Sequence, residues 1–213
     1  MNENSPPDVF DGKVIGLMER NEILEGGQLK GGVFRSHVQW IRDHRSPEEL
    51  ELFWKQLDPE ISSELSTTIL STSWYPFAWL IQIDRSIARL FADGDENELF
   101  RELGRYSARI NVSTTYRIFD RDTNHEFFGN SAILHKQFQD FGSSRYERTG
   151  ETSGKMIYAD YPCFSPVYCE SAFGYFEACL LSHKAVEASV RETECQCRNS
   201  PTCTFELSWT LLG

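Results

Sequence analysis

A change of hydrophobic period along the chain narrows the fold more than any other feature. From Val33 to about Thr123 apolar residues recur at helical spacing, whereas near the C-terminus they recur at every second residue. Val33, Phe34, Val38, Trp40 and Ile41 open an amphipathic stretch. Ser46-Pro47-Glu48-Glu49 places a capping serine, a proline at the first helical position and a glutamate three residues after the cap, which predicts a helix start. Asp58-Pro59-Glu60-Ile61 repeats that signal. Ser73 to Phe91 reads as the most hydrophobic helix, with Phe77, Leu80, Ile81, Ile83, Ile87 and Phe91 spread around most of its circumference, and belongs at the centre of a core. Asp93-Gly94 ends it, and Asp95 with Glu98 starts the next helix, which carries Leu99, Leu103, Tyr106 and Ile110. A further helix holds Ile133, Leu134 and Phe138.

The last third changes character. Arg145 to Arg148 and Lys155 to Tyr161 read as two strands around a turn at Thr149-Gly150-Glu151. Ser165 to His183 reads as a long helix with Cys169, Phe173, Phe176 and Leu180 on one stripe. Val186, Ala188 and Val190 then alternate with polar residues, as do Cys203, Phe205, Leu207 and Trp209. Helices first, then an antiparallel sheet with a long helix packed on it, define an α+β fold. One domain covers residues 33–213, preceded by an arm over residues 1–32 in which Pro6-Pro7, Gly26-Gly27 and Gly31-Gly32 interrupt any long element. Within the arm, Lys13 to Met18 can pair as a short strand.

Composition excludes several classes of function. The formal charge of −11 opposes nucleic-acid binding and docking on an anionic membrane, because phosphates are gripped by clustered Lys and Arg. No stretch approaches the ~20 apolar residues of a membrane span. The acidic, polar N-terminus lacks the parts of a secretory signal, so the chain is expected in the cytoplasm.

All six cysteines fall in the last quarter, at 163, 169, 179, 195, 197 and 203. In a reducing compartment such clustering suggests metal or redox chemistry, although any one cysteine is explained as a small buried hydrophobe. The alternation that carries Val186, Ala188 and Val190 puts Glu192 on the apolar face, where a carboxylate needs a proton, a cation or a metal. Cys203 opens the apolar face of the last strand and Cys169 lies on the inward stripe of the preceding helix. Three thiols and a carboxylate can therefore converge between helix and sheet, a donor set that suits a closed, structural zinc site. The competing reading has core cysteines, with Glu192 paired to Arg191 or Arg198.

The run from Glu192 through Cys195 and Cys203 to Phe205, with Gly174-Tyr175 upstream, resembles the end of the 4-vinyl reductase domain. In the phenol-sensing activators that carry that domain the matching residues bind zinc, so the resemblance implies ligands at Cys169, Glu192, Cys195 and Cys203. Cys197 is an extra thiol able to replace one of them, and Asn199-Ser200 stands where that family often has Gly-Asp. Lys30 to Phe34, Ser73 to Phe77, Leu99 to Tyr106, Tyr146 to Gly150 and Phe205 to Trp209 resemble a myxobacterial paralogous family of uncharacterised proteins. Both groups are similar to the haem nitric-oxide-binding domains and the TRAPP trafficking subunits, which implies a helical half followed by a sheet.

Within that resemblance His125 and His135 lie where relatives place an axial ligand, but the Tyr-x-Ser-x-Arg propionate clamp is missing and Tyr158-Ala-Asp-Tyr-Pro stands in a comparable place. On that ground haem is read as disfavoured. No nucleophile motif, metalloprotease motif, phosphate loop or dinucleotide fingerprint is present, so catalysis is not expected. Trp74, Phe77, Tyr168, Phe173, Tyr175 and Phe176 are candidate walls of an apolar ligand pocket, Tyr168 and Tyr175 each bringing a hydroxyl, and simple core packing also explains them. The expected protein is a cytoplasmic sensory or adaptor module for a small apolar ligand or a protein partner, dimeric as relatives of this fold often are. The alternatives are a ligand-free interaction scaffold and a thiol redox protein using Cys195 and Cys197.

Overall fold

A computed structural model describes residues 20–113 and 123–212. The segment Lys13 to Met18 lies outside the described residues. A short strand β1 (Gln28–Lys30) leads into α1 (Gly31–His44), α2 (Pro47–Gln56) and α3 (Pro59–Leu65), then β2 (Trp74–Pro76), α4 (Phe77–Phe91) and α5 (Glu96–Ser113). The second half holds α6 (Asn124–Gly129), α7 (Ser131–Phe138), β3 (Ser143–Arg148), β4 (Ser153–Ala159), α8 (Pro166–Leu181), β5 (Ala185–Glu194) and β6 (Cys203–Leu211). The expected α+β architecture is the observed one.

The local signals act as their chemistry requires. Ser46 Oγ accepts from the Glu49 amide while the Glu49 carboxylate accepts from the Ser46 amide, closing the capping box of α2. Asp58 caps α3 and Asp95 caps α5 in the same way, each accepting an amide of the first turn. One boundary differs from the sequence reading. The helix predicted from Ser73 begins at Phe77, because Pro76 forces the residue before it into extended geometry. The freed segment pairs as β2 with β1, Tyr75 opposite Leu29.

Two cores result. The first lies among α1 to α5 around Phe34, Ile41, Phe53, Phe77, Leu80 and Ile83, each fully buried. The second lies between α8 and the antiparallel sheet β3-β4-β6-β5, around Met156, Phe176, Phe205 and Leu207. Helices α5 and α8 join the halves at very close range: a Cβ added to Gly104 would lie 1.9 Å from the Ser171 carbonyl oxygen, and one added to Gly174 would lie 1.8 Å from that of Arg101. Only glycine at both positions lets the two backbones touch.

In β6 Cys203, Phe205, Leu207 and Trp209 are buried, as the alternation predicts. In β5 the register slips between Ala185 and Glu187, so Ala185 is buried and Val186 is 44% exposed, against the expectation for Val186. A second irregularity falls between Glu192 and Glu194, where the strand enters the cysteine turn. The residues before β1 are tied to that turn: the Asn21 amide donates to the Cys197 carbonyl at 2.9 Å and Arg20 pairs with the buried Glu170 at 3.3 Å. Among the described residues no helix is long and apolar enough to cross a membrane.

Candidate functional site

Four side chains, from α8, β5, β6 and the turn between the two strands, meet at one point. Cys169 comes from the first turn of α8, Glu192 from the end of β5, Cys195 from the turn and Cys203 from the start of β6. Their donor atoms all lie within 4.8 Å of one another, and all four residues are buried. The turn is closed by the Arg198 and Ser200 amides donating to the Cys195 carbonyl, with Asn199 in the left-handed region at φ 66°. Asparagine tolerates that conformation better than most residues, which accounts for the departure from Gly-Asp at this point.

The spacing suits a metal. Cys169 and Cys195 sulfurs are 3.8 Å apart, and tetrahedral zinc with bonds of about 2.3 Å sets ligand sulfurs roughly 3.8 Å apart. The Gln196 amide donates to Cys203 Sγ at 3.3 Å; contact with Cys169 lowers that thiol, but contact with Cys195 and burial raise it to about 12. Glu192 accepts from Arg198 through one oxygen, while Oε1 is buried without a hydrogen-bond partner. The Glu192 partner is thus Arg198, one of the two arginines weighed from the sequence; Arg191 pairs instead with Glu206 at 2.5 Å. Burial, reinforced by negative charge on Cys195, pushes the Glu192 carboxyl up to about 7. Cys195 is driven far below the usual thiol range by hydrogen bonds from Cys169, Cys197 and Cys203, while Cys169 is driven well above it by its bonds to the same sulfurs. Cys197 is buried beside Cys169 and Cys195 but outside the four-atom group.

Next to the cluster, between α1, α5, α7, α8 and the sheet, lies a cavity of about 160 Å³. Cys169 and Cys203 line it as well, so cluster and cavity share a wall. Of the six proposed pocket residues, Tyr168, Tyr175 and Phe176 line this cavity. Trp74, Phe77 and Phe173 do not. Trp74 lies at the surface with Lys30 Nζ 3.8 Å from its ring centre. Phe77 is fully buried in the helical core against Phe141 and Tyr168. Phe173 packs between the Arg101 guanidinium and the Phe205 ring.

Along one side of the cavity runs a chain of hydrogen bonds. His135 Nε2 meets the Tyr161 hydroxyl at 2.7 Å, that hydroxyl donates to Gln139 at 2.6 Å, and the Gln139 amide donates to Tyr168 at 2.7 Å. Burial holds His135 neutral, its pKa lowered to about 4. His125 is elsewhere, bonded to the Tyr146 hydroxyl and the Glu151 carbonyl. Sequence reasoning missed a second buried histidine. His37 on α1 lines the cavity and meets Asp84 of α4 at 2.5 Å, the two being 2% and 0% exposed. The signal was available: Asp84 is the one acidic residue on the helix that reads as the most hydrophobic, and a buried carboxylate demands a partner.

No family model matches the chain, and no curated protein does. Solved structures do. An H-NOX protein from S. oneidensis in its Fe(II)NO state superposes with a TM-score of 0.67 at 11% identity, over 85% of this chain and 99% of that one. The chain has the H-NOX fold. An oxygen-binding H-NOX domain related to soluble guanylate cyclases, in its oxygen complex, gives 0.61 at 15% identity, over 85% and 95% of the two chains. A structure described as modulating haem redox potential through porphyrin distortion gives 0.61 at 15% identity, over 85% and 99%. The similarity to the haem nitric-oxide-binding domains therefore holds for the fold, while those to the 4-vinyl reductase domain and the myxobacterial family rest on the motifs quoted above.

This corrects the reading of haem as disfavoured. That reading weighed one missing clamp motif, whereas 85% of the chain superposes on a fold whose solved members hold Fe(II) and haem. The donor type fits: His135 is a neutral imidazole on the cavity wall, the kind of axial ligand haem iron takes, with Nε2 engaged by the Tyr161 hydroxyl. The free space of about 160 Å³ matches a cavity that holds one benzene ring, so a porphyrin would displace aromatic side chains lining it.

Proposed function

We propose that this chain is a non-catalytic sensory module in which a structural metal centre forms one wall of a ligand cavity. The observation that carries the reading is the shared wall: Cys169 and Cys203 belong both to the four-donor cluster and to the cavity lining. Zinc would be held by Cys169, Glu192, Cys195 and Cys203, a closed set with no position left for substrate. Three thiolates and a carboxylate around a divalent ion leave a net charge of −2, which the Arg198 guanidinium on Glu192 partly offsets. With the ion in place, the β5–β6 turn is fixed to α8, and a small apolar ligand in the cavity presses on the same two sulfurs. The signal leaves by contact with a second copy or another cytoplasmic protein.

Haem is the second reading, favoured by the fold and by His135. There His135 would hold the iron, and the group would supply a site for a diatomic gas. Native mass spectrometry of the untagged protein against its denatured mass tests the first reading. An added zinc mass lost in the Cys203→Ser variant supports it, and a bare polypeptide in zinc-supplemented preparations sinks it. Titration with haemin tests the second: a Soret band that requires His135 establishes it, and its absence in a folded, zinc-loaded protein removes it.

A further inference from the structure

The cavity has a polar end that the metal centre and the His135 chain do not use. His37 sits there with Ser107 and Asn111, all three at least 95% buried and all lining the cavity. A carboxylate is acceptor-only, so the 2.5 Å contact to Asp84 fixes the His37 proton on Nδ1. Asp84 Oδ2 has no hydrogen-bond partner, so the carboxylate's one side-chain bond is to this ring. The nitrogen left for the cavity is Nε2, an acceptor in the neutral ring. On the α7 side the polar groups satisfy one another through Tyr161 and Gln139. Ser107 is likewise engaged, with Ser36 at 2.7 Å and Asn111 at 3.4 Å.

We infer that the Asp84–His37 pair is the specificity element of the cavity, selecting a small ring-bodied molecule that carries a single N–H or O–H donor. An apolar body of about one or two rings suits a space of about 160 Å³. The donor hydrogen-bonds to His37 Nε2, and a ligand without it leaves that buried acceptor unmatched. Sites built around a buried acceptor discriminate through that penalty. The inference rests on the reading of the cavity as a ligand site.

Indole and benzothiophene form a matched pair for the test, nearly equal in shape but differing in the N–H. Calorimetry on the zinc-loaded wild-type protein is expected to show indole binding about tenfold or more tightly than benzothiophene. In the His37→Phe variant the preference is expected to vanish while benzothiophene binds at least as well as before. Equal affinity of the two probes for the wild-type protein overturns the role of His37 and leaves the cavity reading standing. Binding of neither overturns both, without touching the metal reading, which zinc stoichiometry decides separately. Should His37→Phe fail to fold, the two affinities for the wild-type protein are sufficient to decide the role of His37.

Discussion

The two cores of this molecule solve the same packing problem with different materials. Among α1 to α5 the interior is built mainly from large apolar side chains such as Phe34, Phe53, Phe77 and Leu80, with the Asp84–His37 pair enclosed between α1 and α4. The core beneath the sheet is lined at one end by Cys169, Cys195, Cys197 and Cys203, with the Glu192 carboxyl among them and a cavity beside them. In the helical core the buried carboxylate has its histidine partner within the chain. A core that buries a carboxylate and several thiols gives up stability unless a cation completes it. On the proposed reading the difference separates a scaffold from a responsive half, because regions that move on binding are drawn from the less stable end of a structure.

The comparison is broken most directly at the metal. Cys203→Ser is expected to cost about 4 kcal/mol or more relative to the zinc-loaded protein, read by urea denaturation. Hydrogen exchange should show β5 and β6 opening while α1 to α4 stay protected; a change under about 1 kcal/mol would show that the cluster holds no structural ion. Gly174→Ala strikes the seam between the halves. Its Cβ would meet the Arg101 carbonyl at 1.8 Å, so a loss of about 2–3 kcal/mol is expected from forced separation of α5 and α8. Unlike the cysteine change, it should leave zinc stoichiometry intact. Ser46→Ala acts only on the scaffold half, where loss of the capping box should cost about 1 kcal/mol and leave ligand and metal binding unaltered.

The mildest test is pH. His135 titrates near 4 in the folded protein and near 6.5 when unfolded. Between those values the unfolded chain binds more protons, so stability falls as pH drops from about 6.5 towards 4 and is insensitive to this group above about 7. His135→Gln should flatten that part of the urea-midpoint profile. An unchanged slope would mean that the ring is solvated and not part of the buried chain with Tyr161.

Local chemistry made most of the fold legible beforehand. The capping box at Ser46, the period change after the helical half and the alternation ending at Trp209 each act within a few residues, and each is realised. The same local reasoning named Cys169, Glu192, Cys195 and Cys203, because a carboxylate on an apolar strand face is an anomaly visible in sequence. It erred on haem by giving one absent motif more weight than the similarity to the haem nitric-oxide-binding domains, a fold that superposition extends over 85% of the chain.

Tertiary structure decided the rest. The register slip that exposes Val186, the close approach of Gly104 and Gly174, the placing of Phe77 in one core and Phe176 at the cavity, and the meeting of His37 with Asp84 all depend on residues far apart in the chain. Periodicity says which face of an element is buried. It does not say what that face is buried against, because that depends on how whole helices and strands cross.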